Sequence, residues 1–149
     1  MGYSHYWRMD KPLKVTKEQR NLIGEVLKEN HALLAGWGGD KGTKPVFTAK
    51  ELSFNGIEDE AHETFRVEFE KQEGFSFCKT ARKPYDLAVC KILLVLAQSE
   101  GFNISSDGCE RDEKGVKTLA DENWSEAVAW AMAQGLNMDK VNLYINSER

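Results

Sequence analysis

The segment LAVCKILLVLA, residues 87–97, constrains the fold of this chain more than any other. On a helix its apolar side chains cover nearly the whole circumference, and Lys91 is the only charged residue within it. Such a helix is stable in water only if other elements cover all of its sides. It is too short to span a bilayer. The segment therefore predicts a central core helix over about residues 85–99, with Pro84 at its start.

Alternation and helical spacing predict the elements around this helix. Alternation is clearest in TFRVEFE, residues 64–70, and resumes after Gly74 in FSFCKT, so we expect these two strands to form a hairpin. Thr16 and Gln19 have the spacing of a capping box. The other predicted elements are a strand over 1–9, a helix over 16–36, strands over 46–48, 52–55 and 102–106, a helix over 123–135 and a strand over 141–145.

This order of elements indicates one globular domain over residues 1–149. Its length suits a single core, and the sequence contains no internal repeat or low-complexity tract. Strand-rich stretches with helices collected on one face are typical of the α+β class. We therefore predict a two-layer sandwich with a mainly antiparallel sheet and about three helices.

Charge and cysteine content narrow the classes of function. The formal net charge is −4 and the isoelectric point is about 5.5, whereas proteins that bind duplex nucleic acid usually present a basic surface. The three cysteines form no C-x-x-C pair, and no residue spacing specifies a metal. The first residues lack the apolar stretch of a secretory signal. We expect a cytoplasmic protein without a membrane, metal or duplex nucleic acid partner, and the sequence identifies no cofactor.

Positive charge is concentrated in FCKTARKPYD, residues 77–86, where a predicted strand ends and the core helix begins. The first N–H groups of a helix lack intrahelical partners and attract anions. Lys79, Arg82 and Lys83 would strengthen this attraction, and Arg82 can bind a phosphate or a carboxylate with two hydrogen bonds. In the alternative interpretation, Asp86 neutralises the helix start and pairs with Arg82 or Lys83.

Further candidate residues lie near other predicted strand ends. His62 and Glu63 could act as an acid–base pair, although HETFR lacks the H-E-x-x-H pattern of zinc proteases. Aromatic rings here could stack on a base, and polar side chains could contact a ligand, but packing and turn capping are ordinary roles for the same residues. The remaining candidates for ligand binding are His5, Tyr6, Trp7, Asn55, Tyr85 and Asp107.

Five motifs, MGYSHYW, FNG, HETF, FCKTARKPYD and SSDG, together resemble those of a family of small uncharacterised proteins from bacteriophages and bacterial genomes. The likeness covers most of residues 1–108 and is looser in the C-terminal helix and strand. It implies a cytoplasmic protein acting in an infected bacterial host, and it implies no particular chemistry. The polar and aromatic residues in these motifs that we single out are Ser4, His5, Tyr6, Trp7, Asn55, His62, Glu63, Lys79, Thr80, Arg82, Lys83, Tyr85, Asp86, Ser105, Ser106 and Asp107.

Three functions follow as hypotheses. In the first, a pocket at the strand end and helix start binds a small anionic ligand of nucleotide type, which Lys79, Arg82 and Lys83 neutralise. In the second, the protein hydrolyses such a ligand, with His62 as general base supported by Glu63 or Asp86. In the third, acidic surfaces over residues 58–63 and 110–113 bind and inhibit a basic host protein.

Overall fold

The protein has an α+β fold, and the structure, a computed structural model, describes residues 3–70, 74–111, 117–119 and 121–143. The α+β class predicted from the sequence is confirmed. The helices are α1 (Lys17–Glu29), α2 (Asp86–Leu96) and α3 (Glu122–Ala133). The strands are β1 (Ser4–Met9), β2 (Val46–Phe47), β3 (Glu51–Phe54), β4 (Phe65–Glu68), β5 (Gly74–Lys79), β6 (Phe102–Ser106), β7 (Cys109–Arg111), β8 (Lys117–Leu119) and β9 (Asn142–Leu143).

Helix α2 lies at the centre of the molecule, as its composition predicts. All of its residues are buried except Leu87 and Lys91, and it contacts both α1 and α3. Each fully buried leucine, isoleucine or valine stabilises the fold by about 1.5–3 kcal/mol relative to an exposed one, so this helix supplies a large part of the core. None of the described helices is long and apolar enough to cross a membrane.

The largest sheet has four strands in the order β5-β1-β6-β9. Strand β1 runs antiparallel to both of its neighbours, whereas β6 and β9 are parallel. Along β1 the side chains of His5, Trp7 and Met9 point into the core. Tyr6 and Arg8 project from the opposite face, because successive side chains of a strand alternate between faces. We call this second face, away from the core, the outer face.

The predicted hairpin between β4 and β5 is wrong. Strand β4 pairs with β3 in a separate sheet of order β2-β3-β4, and β5 pairs with β1. Phe65 of β4 packs its ring 5.3 Å from that of Phe54 and 5.1 Å from that of Trp7, in the core. Alternation along a strand indicates that one of its faces is buried, but it does not indicate which other strand pairs with it. The turn expected between β4 and β5 falls largely on residues 71–73, outside the described residues.

The start of α1 agrees with the sequence prediction, and its end does not. The capping box is confirmed, with Gln19 N 3.1 Å from Thr16 Oγ1 and Thr16 N 2.8 Å from Gln19 Oε1. The helix ends at Glu29 rather than near Gly36, with Asn30 as its C-cap residue. Both Asn30 N, at 3.1 Å, and Asn30 Nδ2, at 2.8 Å, donate to Val26 O. Strand β7 pairs with β8 between the predicted strand over 102–106 and the predicted helix over 123–135, where the sequence analysis predicts no element.

Candidate functional site

Polar residues that are far apart in the sequence meet at one corner of the molecule. The start of β1 lies between the ends of β5 and β6, since His5 is paired with Cys78 on one side and Ser106 on the other. Helices α2 and α3 begin at the same corner, where side chains from both reach one hydrogen-bonded network. This corner contains several of the predicted ligand-binding residues.

His5 joins the sheet to helix α2 through hydrogen bonds at both ring nitrogens. His5 Nε2 lies 2.6 Å from Asp86 Oδ1, and Nδ1 lies 2.7 Å from Ser106 Oγ. Asp86 Oδ1 also accepts a hydrogen bond from the Thr80 hydroxyl, and Oδ2 accepts one from Asn123 Nδ2 at 2.7 Å. His5, Thr80, Asp86 and Ser106 are all buried. We call these four residues and Asn123 the buried polar network.

The partners of Ser106 determine where the protons of this network lie. Its hydroxyl oxygen accepts hydrogen bonds from Trp124 Nε1 and from Gly108 N, each at 2.9 Å. A hydroxyl oxygen has two acceptor sites, so the remaining bond must be one in which the Ser106 hydroxyl donates to His5 Nδ1. The ring proton is therefore on Nε2, which donates to Asp86. The network therefore directs the Nε2–H group of His5 at the carboxylate of Asp86.

Hydrogen bonds keep Asp86 ionised although it is buried. Burial raises the pKa of this carboxyl. The hydrogen bond and the electrostatic attraction from His5, with the hydrogen bonds from Thr80 and Asn123, favour the charged form more strongly and bring the pKa below its usual value. Because the folded-state pKa is below that of the unfolded chain, the carboxylate stabilises the fold fully above about pH 3.9. This stabilisation is lost as the pH falls through the lower, folded-state pKa.

We predict that this loss can be measured with an Asp86→Asn variant. The difference in unfolding free energy between the wild type and the variant should be largest above about pH 4 and should shrink at lower pH. Urea unfolding between pH 3 and pH 7 measures this difference. A difference that stays constant across this range would contradict an ionised Asp86 with a lowered pKa.

The buried polar network contains a serine, a histidine and an aspartate, but its geometry does not suit a nucleophilic hydrolase. Ser106 is 1% exposed and its hydroxyl makes three hydrogen bonds within the protein. A nucleophilic serine must reach a substrate carbonyl. Two clefts among the described residues, of about 350 and 260 Å³, are lined by none of the predicted site residues.

Cys90 extends the network, with its sulfur 3.6 Å from His5 Nε2 and 3.7 Å from Asp86 Oδ2. These three side chains are donors of the kinds that bind zinc. A metal would need a bare Nε2 and a thiolate, whereas Nε2 carries the proton and burial raises the pKa of the Cys90 thiol well above its usual value. The group therefore fits a hydrogen-bonded core better than a metal centre.

Two of the three cations of FCKTARKPYD, Arg82 and Lys83, make different side-chain contacts. Arg82 NH1 lies 3.1 Å from Asp121 Oδ2, and its guanidinium carbon lies 3.8 Å from the centre of the Tyr3 ring. Lys83 Nζ donates to Asp59 O at 3.0 Å. The alternative in which Asp86 pairs with one of these cations does not match these contacts, because Asp121 is the partner of Arg82.

The other predicted polar residues hold loops in place. Asn55 Nδ2 donates to His62 O and Asn55 Oδ1 accepts from His62 N, both at 3.0 Å. The His62 side chain is exposed, and the Glu63 carboxylate accepts from Lys79 N at 2.7 Å. Asp107 accepts from Ser4 N at 2.9 Å and from the Tyr6 hydroxyl at 3.0 Å. The structure therefore places Glu63 against the end of β5 rather than in a pair with His62.

Among the predicted aromatic residues, only Tyr6 lies on the outer face. Trp7 and Tyr85 are buried, and the Tyr85 hydroxyl donates to Glu63 O at 2.6 Å. These two rings are therefore unable to stack on a ligand from solvent.

Two phenylalanines that the sequence analysis did not select lie beside Tyr6. Phe75 and Phe77 of β5 are 49% and 55% exposed. The Phe75 ring centre lies 6.0 Å from that of Tyr6 and 6.4 Å from that of Phe77. We call Tyr6, Phe75 and Phe77 the aromatic face. Alternating phenylalanines usually mark the buried side of a strand, but here Cys78 is the buried neighbour.

Comparisons of the chain with protein-family models, with curated proteins and with solved structures found no match. The resemblance to bacteriophage and bacterial proteins therefore stays a prediction, and the function must be argued from the geometry of the site.

Proposed function

We propose that the protein binds a small anionic ligand with a planar ring, of the nucleotide class, on the outer face of the four-stranded sheet. The observation that carries this proposal is the aromatic face, in which Phe75 and Phe77 each leave about half of their surface in water. The ligand class is the one expected from the sequence. The position differs, because the contacts among the described residues favour the exposed rings along β5, at the edge of the described sheet, over a pocket at the start of α2.

Stacking and charge both support a nucleotide at this surface. A base that stacks on an aromatic side chain contributes about 1–3 kcal/mol to binding. Lys79 follows Phe77 by two residues and so lies on the same face. We expect its ammonium group to contact the phosphate of the ligand. The net charge of −4 opposes long, highly charged polymers. A ligand with few phosphates therefore suits the surface.

We predict that Phe77→Ala weakens the binding of nucleoside monophosphates by about 5-fold to 100-fold, which corresponds to the loss of one stacked base. Isothermal titration calorimetry against a panel of nucleotides measures the dissociation constants. Trp37→Ala is a matched control, because Trp37 is also exposed but lies outside the four-stranded sheet. Failure of every nucleotide to bind the wild type, or an equal loss in the control, would contradict the proposal.

The two alternative functions receive less support from the geometry. Hydrolysis with His62 as base needs a partner that orients the imidazole, whereas the Glu63 carboxylate is bonded to Lys79 N and Asp86 belongs to the buried polar network. Inhibition of a host protein would use the exposed carboxylates of the turn Glu58–Glu60. The second acidic stretch, residues 110–113, lies outside the described side chains.

A further inference from the structure

We infer that the protein has a second binding site, for a free α-amino acid with an aliphatic side chain, at the end of α2 away from the buried polar network. The site is a cleft of about 350 Å³ where the start of α1, the end of α2 and the segment after α3 meet. Clefts that bind small molecules have volumes of about 300–1,000 Å³. None of the described residues that line the cleft belongs to the aromatic face, so this inference does not depend on the proposed function.

Two glutamine side chains hold the walls of the cleft in place. Gln19 of α1 donates from Nε2 to Val95 O, at 3.0 Å, and to Ser99 Oγ, at 2.8 Å. Gln98 Nε2 donates to Asn137 O and Gln98 Oε1 accepts from Asn137 N, each at 3.1 Å. These bonds join three separate segments of the chain around the cleft. The cleft is therefore formed before a ligand arrives, which lowers the entropy lost on binding.

The cleft offers one carboxylate and one ammonium group. Glu18, in the first turn of α1, and Lys140, after α3, both line it and are exposed. Within the part of the chain that the structure describes, neither side chain takes part in an ion pair. A ligand with an ammonium group and a carboxylate can pair with both, and such charge-assisted hydrogen bonds are the strong ones. A singly charged ligand leaves one of the two unmatched.

Other groups in the cleft suit the remaining parts of an amino acid. Ser99 Oγ accepts from Gln19 Nε2, and its hydroxyl proton has no acceptor among the described residues, so it can donate to the carboxylate of the ligand. Leu22 and Leu136 also line the cleft, and the core covers them only in part. An aliphatic side chain that covers the rest of their surface should gain about 4-fold in affinity per methylene.

The test measures the binding of L-leucine, L-leucinamide and 4-methylpentanoate to the full chain by calorimetry at pH 7. Leucinamide lacks the carboxylate and 4-methylpentanoate lacks the ammonium group, whereas both keep the aliphatic side chain. We expect each analogue to bind at least about 10-fold more weakly than leucine, because each loses a charge-assisted hydrogen bond. Alanine should bind about 15-fold more weakly than norvaline, since it lacks two methylenes.

Two variants assign the charged contacts. Glu18→Gln should reduce the preference for leucine over 4-methylpentanoate to less than about 3-fold, and Lys140→Gln should do the same to the preference over leucinamide. Glu25→Gln and Lys28→Gln are matched controls, because both residues are exposed on α1 and lie outside the cleft. The controls should keep both preferences. All four residues are exposed, so the variants are expected to fold, and urea unfolding checks that they do.

Three results would overturn the inference. The first is absence of binding by leucine, norvaline and alanine, and the second is equal affinity for leucine and both of its analogues. The third is an equal loss of preference in the control variants, which would mean that the contacts are not made by Glu18 and Lys140. The nucleotide titrations of the wild type and Phe77→Ala are separate measurements, so failure of this inference is distinguishable from failure of the proposed function.

Discussion

Asp86→Ala is expected to lower the free energy of unfolding by about 3–5 kcal/mol. The change removes the acceptor for three donors, His5 Nε2, the Thr80 hydroxyl and Asn123 Nδ2. A buried donor left without a partner costs about 1–3 kcal/mol, and the truncated side chain leaves a cavity as well. The result bears on function, because the sequence alone is equally consistent with a ligand-binding role and a structural role for Asp86.

Urea unfolding at pH 7 measures this effect. The matched control is Asp59→Ala, since Asp59 is exposed and a surface substitution of this kind changes stability by no more than about 0.5 kcal/mol. A loss below about 1 kcal/mol for Asp86→Ala would show that the buried polar network contributes little, and it would reopen a role for Asp86 outside the core.

Gly108→Ala is the second change with a large expected effect. A Cβ atom at this position would lie 2.6 Å from Asp121 Oδ2 and from Trp124 Cδ1, and it would also meet the Tyr3 hydroxyl. These groups have little freedom to move, because Tyr3 bonds to Asp121 and Trp124 is fully buried. Overpacking a well-packed core costs about 1–3 kcal/mol, and we expect the upper end of that range or more.

Thermal and urea unfolding of Gly108→Ala test this expectation against Gly24→Ala. Gly24 lies inside α1, where an added Cβ meets nothing within 4 Å. Alanine is the better helix former by about 1 kcal/mol, so the control should be slightly more stable than the wild type. Destabilisation of both variants to the same extent would mean that steric contact at residue 108 is not the cause.

Local sequence was sufficient for the features that depend on neighbouring residues. The apolar run around Leu93 predicts a helix that must be covered on all sides, and α2 is buried as expected. The spacing of Thr16 and Gln19 predicts the capping box, because both partners lie within one helical turn. The α+β class follows from the order of such elements. Each of these features depends on residues that are only a few positions apart in the sequence.

Strand pairing and strand orientation could not be predicted in this way. Phe75 and Phe77 alternate like core residues, yet they face solvent at the edge of the described four-stranded sheet, whereas Ser4, Asn103 and Ser105 on the same face are buried. Which face of β5 is covered depends on its pairing with β1, whose residues lie about seventy positions earlier in the chain. A strand whose residues alternate with a period of two can bury either of its faces, and tertiary packing determines which face is buried.

The candidate site likewise has features that the sequence predicts and features that depend on tertiary packing. By itself, the sequence determined that cations are concentrated before the core helix and that polar residues follow several strands, because these are properties of composition and order along the chain. The tertiary structure alone decided that Asp86 forms a hydrogen bond with His5 and that Asp121 forms an ion pair with Arg82. These partners are separated by 81 and 39 residues. Hydrogen bonds form between groups that the fold brings within about 3 Å, and only the packed chain specifies which groups those are.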